Sequence, residues 1–371
     1  MMAEAGEKLL EATQELLAVH PPSALSGRQI AEVAAVNYGR VHRHFGSKSA
    51  LIDRAVQQLG ERFIQDAFPS GALVPTPGVL SRHSSFAFAV AHLTVDDPLG
   101  AAGPVRLLVE RYREGLAGMR PDLSVDQRDV ILILSVSMQW AVVVHRRHLE
   151  RVASLAGGSV DVDRDLVLLV EQLHGGFGPF AEAPLPRELR VQSAVGSVDL
   201  GDSVERKLVY AAAELLANRA PSSVTGRELA RHAGVNYGRI HSAFGTMANV
   251  FEAAIDMQAA QMLEDFGTDR LPGFFSMNER PGFVRFLTRM ALADGDSSER
   301  EFYPFLSRLF AQHETRHGQI AVQTRHRYAL SIMTQVSWAL FEECFGHALG
   351  RPVDELEPQA AGYLTALVRN A

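Results

Sequence analysis

The sequence is poor in the features that mark several protein classes. It holds one cysteine, Cys344, in 371 residues, so no disulfide can form within the chain. Its longest uncharged apolar stretch, Val130–Val144, is interrupted by Ser135, Ser137 and Gln139 and is shorter than a bilayer-spanning helix requires. The opening residues MMAEAGEKLL are acidic and lack the basic segment and apolar core of a secretory signal. No Gly-rich phosphate loop and no nucleophile elbow occurs. Positive charge is not in excess either. A formal net charge of −7 argues against wholesale coating of nucleic acid and makes any local basic patch more informative. These absences predict a cytoplasmic protein with no membrane partner, no cofactor and no enzymatic activity. The 47% of hydrophobic residues suffices for packed cores, and the length suggests more than one domain.

What the sequence does contain is a long internal repeat. Gly27–Gly46 reads GRQIAEVAAVNYGRVHRHFG and Gly226–Gly245 reads GRELARHAGVNYGRIHSAFG. The offset is 199 without a gap, and 12 of the 20 pairs are identical, which chance does not produce. Upstream, Ala12, Glu15, Leu16, Leu17 and Ala18 match Ala211, Glu214, Leu215, Leu216 and Ala217. Downstream, Trp140 and Trp338 stand at an offset of 198. The chain is therefore expected to be two similar halves joined at a seam within 175–203, where GGFGPFAEAPLPRE has the glycines and prolines of a linker. The expected domains are 1–68 and 191–267, each a reader, and 69–190 and 268–371, each a helical body.

Almost every segment has helical periodicity. Residues 4–18 place Leu9, Leu10, Thr13, Leu16 and Leu17 on one face, and Pro21 and Pro22 close that helix. Ser26 with Gln29, and Thr225 with Glu228, have the spacing of a capping box. The short helix 27–34 should bury Ile30, Ala31 and Ala34. Asn37 and Asn236 can cap the next helix, which Phe45 and Phe244 anchor and the following glycines end. Ser47 and Thr246 open fourth helices over 48–68 and 247–266. Two short helices joined by a tight turn between longer ones form a helix-turn-helix DNA reader.

The residues that would touch DNA follow from this register. Arg40 and Arg239 stand near the start of the second short helix, where a guanidinium can donate two parallel hydrogen bonds to guanine O6 and N7. Asn37, Tyr38, Asn236 and Tyr237 share that edge, and Gly39 and Gly238 allow a close approach to the duplex. Arg28 and Arg227 begin the preceding helix, which ordinarily meets the sugar–phosphate backbone. Within Ser26–Lys48, Arg28, Arg40, Arg43 and Lys48 against Glu32 give +3; within Thr225–Met247, Arg227, Arg231 and Arg239 against Glu228 give +2. An arginine on a short helix is ordinarily just solvated. The identity of Tyr38, Arg40 and His42 with Tyr237, Arg239 and His241, at surface positions, argues for a shared task.

These segments resemble the N-terminal motif of the TetR repressor family. The resemblance rests on Ile30-Ala31, Ala34-Ala35-Val36, Asn37, Gly39, His42, His44-Phe45, Ser47-Lys48 and Leu51. It recurs as Leu229-Ala230, Ala233-Gly234-Val235, Asn236, Gly238, His241, Phe244, Thr246 and Val250, and covers about 5–68 and 204–266. Asn37 and Asn236 stand where the family usually has Ser or Thr, and His42 and His241 where it has a phosphate-contacting tyrosine. Lys48, which the resemblance assigns to a phosphate, becomes Met247; His44 becomes Ala243 and Arg43 becomes Ser242. The second reader is therefore expected to hold the backbone less tightly.

The resemblance implies an all-α fold of two tandem units, each a helix-turn-helix domain followed by a ligand-binding and docking bundle. It implies a ligand-responsive repressor whose partner is a double-stranded operator. Because family members normally dimerise, both halves in one chain suggest a single-chain pseudo-dimer on an imperfect inverted repeat, alone or paired as a homodimer. The expected docking helices are 125–156 with 163–174, carrying Ile131, Leu134, Met138, Val142 and His145, and 319–348 with 353–369, carrying Tyr328, Ile332, Val336 and Phe341. A hydrophobic effector would be lined by Phe86, Phe88, His92, Tyr112, Met138 and Trp140 in half one. Phe283, Phe286, Tyr303, Phe305, Phe310 and Trp338 would line its counterpart.

Two rival readings stand beside this one. The chain could be a ligand- or partner-binding protein whose second reader, or both, no longer binds DNA. His313-Glu314-Thr315-Arg316-His317 fits H-E-x-x-H, which on a helix would give a zinc hydrolase, with Glu342 or Glu343 as a third ligand. Arg316 lies inside that run, Gly318 ends it and half one has no counterpart. His145-Arg146-Arg147-His148 reads as a solvated helix face, and Cys344 as a small packed residue.

Overall fold

In the computed structural model the described residues are 2–155, 158–175, 203–219, 221–266, 281–293, 306, 310–311, 314–315 and 318–369. Among them there is no β-strand, and the all-α expectation holds. The first half contains α1 (Met2–Leu17), α2 (Gly27–Val33), α3 (Gly39–Phe45) and α4 (Lys48–Ala67). A 3-10 turn at Val79–His83 leads to α5 (Ser84–Asp96), α6 (Pro98–Met119), α7 (Val125–Leu155) and α8 (Val162–Gly175). The second half contains α9 (Val204–Asn218), α10 (Gly226–His232), α11 (Gly238–Phe244), α12 (Met247–Phe266) and α13 (Pro281–Ala293), then α14 (Val322–Leu349) and α15 (Glu357–Arg369).

The helix signals work as their chemistry requires. Ser26 Oγ accepts the Gln29 N–H at 3.1 Å, and Thr225 Oγ1 accepts that of Glu228 at 3.3 Å. The Glu228 carboxylate is engaged in an ion pair with Arg219. Ser47 and Thr246 cap α4 and α12 in the same way, at 3.0 and 3.2 Å. On α1, Leu9, Leu10, Thr13 and Leu17 are buried, while Leu16 is only half-buried. They meet α4, whose Leu51, Ala55, Val56 and Phe63 face inward. Gly115 of α6 lets the chain before the 3-10 turn cross closely: a Cβ there would lie 1.5 Å from the Leu73 carbonyl oxygen.

The compact units of the chain do not coincide with the sequence halves. One unit comprises Met1–Arg146, Val162–Gly176 and Leu340–Glu357; the other comprises Arg147–Asp161, Phe177–Ala339 and Pro358–Ala371. Each unit thus contains a piece of the other half. In the first, the Trp140 ring meets Phe341 edge-on at 5.2 Å between centroids. Arg351 donates to Asp126 at 2.5 Å, and the Cys344 thiol donates to the Pro98 carbonyl at 2.9 Å. In the second, Gly158 lies against Val322, so closely that a Cβ would come within 2.9 Å of its Cγ2. The helix α7 has a non-helical residue, His145 (φ −111°, ψ 18°), immediately before its chain passes from one unit to the other.

Several expectations about this region need correction. In the run His145–His148 only Arg147 is exposed, so it is not the solvated face expected. His145 is buried, Arg146 makes a forked ion pair with Asp163 at 2.6 and 2.8 Å, and burial pushes His148 down to about 3. One stretch, Val125–Val152, is long and apolar enough by composition to cross a bilayer, and its most apolar part is buried within the protein as a core helix. Cys344, by contrast, is the packed residue expected: it is buried, and burial raises its thiol to about 12.

Candidate nucleic-acid interface

Each reader is assembled from local hydrogen bonds around a tight turn. In the first, the chain leaves α2 through Ala35, whose φ is +52°, and Val36 N–H returns to the Ala31 carbonyl at 2.9 Å. Gly234 occupies that position in the second reader with φ +65°. The Asn37 side-chain oxygen then accepts the Gly39 N–H at 2.9 Å, and Asn236 does the same for Gly238 at 3.0 Å. Both asparagines therefore cap the second short helix, with Tyr38 and Tyr237 already in helical conformation behind them. Val41 and Ile240 are its buried residues, and Gly46 and Gly245 end it at φ +76° and +75°.

The shared surface residues turn out to have structural partners as well. Tyr38 packs across Gly27 and its hydroxyl lies 3.1 Å from His42 Nε2. His42 Nδ1 in turn donates to the Gly46 carbonyl at 3.1 Å, so the ring bridges Tyr38 and the end of the helix. In the second reader Tyr237 packs across Gly226, and His241 Nδ1 meets the Gly245 carbonyl at 2.8 Å. Part of the identity between the repeats is thus a packing requirement, contrary to the inference that only a shared target explains it.

The cations divide into two groups. Arg28, Arg43, Arg227, Arg231 and Arg239 are exposed and Arg40 is half-buried. Among the described residues none of these six guanidinium groups has a hydrogen-bond or ion-pair partner. Lys48 differs: its ammonium donates to the Leu25 carbonyl at 2.8 Å and braces the chain entering α2. Met247, at the same position in the second reader, packs near Gly226. His44 also departs from expectation. It is half-buried beside Gly6 of α1, with its Nε2 enclosed, so it faces the first helix and not the outer edge of α3.

The residues expected to line an effector site are largely engaged with each other. Phe86 stacks on Phe63 at 5.0 Å and meets Trp140 at 6.1 Å, and Trp140 donates to the Ala87 carbonyl at 3.2 Å. Tyr112 is fully buried, which pushes its phenol up, and its hydroxyl bonds His174 Nε2. Burial lowers His174 to about 4. Met138 and His92 are buried and Phe88 is half-buried. In the second half Phe283 and Phe286 stack at 6.4 Å, Phe310 meets Tyr328 and Trp338 is buried, while Tyr303 and Phe305 lie outside the described residues. His313 and His317 also lie outside them; Glu314 is ion-paired with Arg325 and accepts the Ile320 N–H. His174 and Arg351 were not legible in the sequence because Tyr112 and Asp126, which they meet, are distant in the chain.

Comparison with known proteins agrees with this geometry. Residues 9–55 and 208–254 each match the family model described as bacterial regulatory proteins, tetR family. The HTH-type transcriptional repressor Rv3405c of Mycobacterium tuberculosis (strain ATCC 25618 / H37Rv) is 39% identical over 59 residues, covering 16% of this chain and 31% of that protein. The HTH-type transcriptional regulator Mb3439c of Mycobacterium bovis matches to the same extent. The matched segment spans about a third of the length of these curated relatives.

Proposed function

We propose that this chain, a TetR-family protein with two tandem TetR-like halves in one polypeptide, is a sequence-specific DNA-binding transcription regulator acting as a single-chain pseudo-dimer. The observation that carries this reading is the duplicated pair of uncommitted arginines, Arg28 with Arg40 and Arg227 with Arg239, on the outer sides of two alike readers. Guanidinium groups left without a protein partner at the same positions of both readers are what the reading of two similar half-sites requires. The pseudo-dimer part draws support from the units, each of which includes a segment of the other half. Two covalently joined readers address an imperfect inverted repeat without the concentration dependence of a dimer. We assign repression, and relief of it by a hydrophobic small molecule, to the helices behind each reader. The ring contacts that run from Phe63 of α4 through Phe86 and Trp140 to Phe341 join the reader to those helices and support this assignment.

Selection of bound sequences from a random duplex pool, with full-length protein beside Arg40→Ala and Arg239→Ala variants, tests the reading. An inverted repeat is expected, with each variant relaxing a guanine preference in one arm, and sedimentation should give one chain per site. Loss of selection with Arg40→Ala alone would make the second reader structural. No enriched sequence, together with binding insensitive to salt, would favour a sensor that does not read DNA.

A further inference from the structure

Resting on the pseudo-dimer reading, we propose that the two readers have divided their work: the first discriminates at one more base position through Arg43, and the second grips the backbone through Arg231. The proposal starts from the positions at which the exposed residues of the repeats differ. On the recognition helices, Asn37, Tyr38, Gly39, Arg40 and His42 are identical to their counterparts, and the exposed difference is Arg43 against Ser242. On the preceding helices, exposed Glu32 faces solvent where the second reader has exposed Arg231. The recognition helix of the first reader thus carries one arginine more than its counterpart, and the preceding helix of the second reader one more than its own.

The geometry gives these exchanges different consequences. Arg43 follows Arg40 by three residues, so both lie on one helix side, separated by about 4.5 Å along the axis. That separation is on the order of one base-pair step of about 3.4 Å. Arg43 has no protein partner among the described residues, so its guanidinium is available to guanine O6 and N7 next to the pair addressed by Arg40. Ser242 does not offer the same reach. Its hydroxyl donates back to the Arg239 carbonyl at 3.2 Å, within its own helix. Arg231 follows Arg227 by four residues on α10, so the two form a paired cationic strip on the helix that crosses the backbone. In α2 the same strip is Arg28 followed by Glu32, and the carboxylate repels phosphate. Of the other differences, His44 faces α1, Lys48 donates to the Leu25 carbonyl where Met247 packs near Gly226, and exposed Val33 is replaced by His232, which is held by Glu214 at 2.7 Å. The operator implied is an inverted repeat whose arms are alike except at one position, where the arm under the first reader requires guanine.

Selection from a random duplex pool and salt titration of the selected duplex test this with full-length wild type, Arg43→Ala, Ser242→Arg and Arg231→Ala. Wild type should select arms differing at one position. Arg43→Ala should reduce discrimination there about tenfold and make the arms alike, with the salt slope unchanged. Ser242→Arg, an exposed substitution, should install the guanine preference in the other arm. Arg231→Ala should weaken all duplexes equally and reduce the salt slope by about one. The proposal is overturned if the wild-type arms are alike, if Arg43→Ala keeps the preference and lowers the salt slope, or if Arg231→Ala changes base preference. Failure of wild type to select any sequence would instead remove the DNA reading on which the proposal rests.

Discussion

The ring of Tyr38 lies across the α-carbon of Gly27, so close that a Cβ at Gly27 would come within 2.6 Å of Tyr38 Cε2. The first residue of α2 and the first turn of α3 are fitted to each other, and Tyr237 with Gly226 repeats the fit at 2.7 Å. The aromatic ring sets the angle between the two short helices and, through His42, ties the end of α3 to its start.

Gly27→Ala should therefore displace Tyr38 and lower operator affinity about tenfold, through overpacking of about 1 kcal/mol or more. In a Tyr38→Ala background the same methyl group should be harmless. A double-mutant cycle read by fluorescence anisotropy measures the coupling, and additive losses would show that the contact does not orient the reader.

Ala35 and Gly234 offer a matched test of backbone strain. Ala35 holds φ +52°, where an L side chain is disfavoured and glycine is not. Ala35→Gly should stabilise the first reader by about 0.5–1 kcal/mol, after the entropy that glycine adds to the unfolded chain. Gly234→Ala, at φ +65°, should cost a similar amount. Hydrogen exchange of the amides in each reader localises the effect.

Phe341, from the second half of the sequence, packs on Trp140 of the first. Phe341→Ala should cost about 3–5 kcal/mol and open the surroundings of that indole. With Trp338→Phe as background, Trp140 is the sole tryptophan. Its emission should shift to longer wavelength in the Phe341→Ala variant, and unchanged emission would refute the packing.

Acid should destabilise the protein progressively through two buried histidines. Burial lowers His174 to about 4 and His148 to about 3, from 6.5. Their neutral forms contribute stability that is fully present above pH 6.5. That stability is lost as pH falls and the unfolded chain takes protons the folded chain refuses, down to about 4 for His174 and about 3 for His148. His174→Gln should flatten the fall between pH 6.5 and 4, measured as urea midpoints across that range.

The readers were legible in the sequence because their determinants are local. Ser26, Asn37, Ser47 and their repeats satisfy backbone groups two or three residues away, so spacing alone identifies them. What lay beyond the sequence was long-range. Nothing near Lys48 says that its ammonium serves the Leu25 carbonyl, and nothing near His44 says that it turns toward Gly6. The resemblance marked 125–156 and 319–348 as docking helices, yet it does not say which helix covers Trp140. The assignment of Leu340–Glu357 to the unit that begins at Met1 depends on contacts across more than half the chain.

That assignment has a consequence for the order in which the protein is made. The unit holding the first reader needs residues synthesised on the order of 160 positions after its own α8, an interval of about ten to forty seconds at about 5–20 residues per second. During that interval Trp140 emerges without Phe341. A nascent chain therefore carries a reader before it carries the body that steadies it, and a message cut short anywhere before Leu340 yields a product with an open core and not half a regulator.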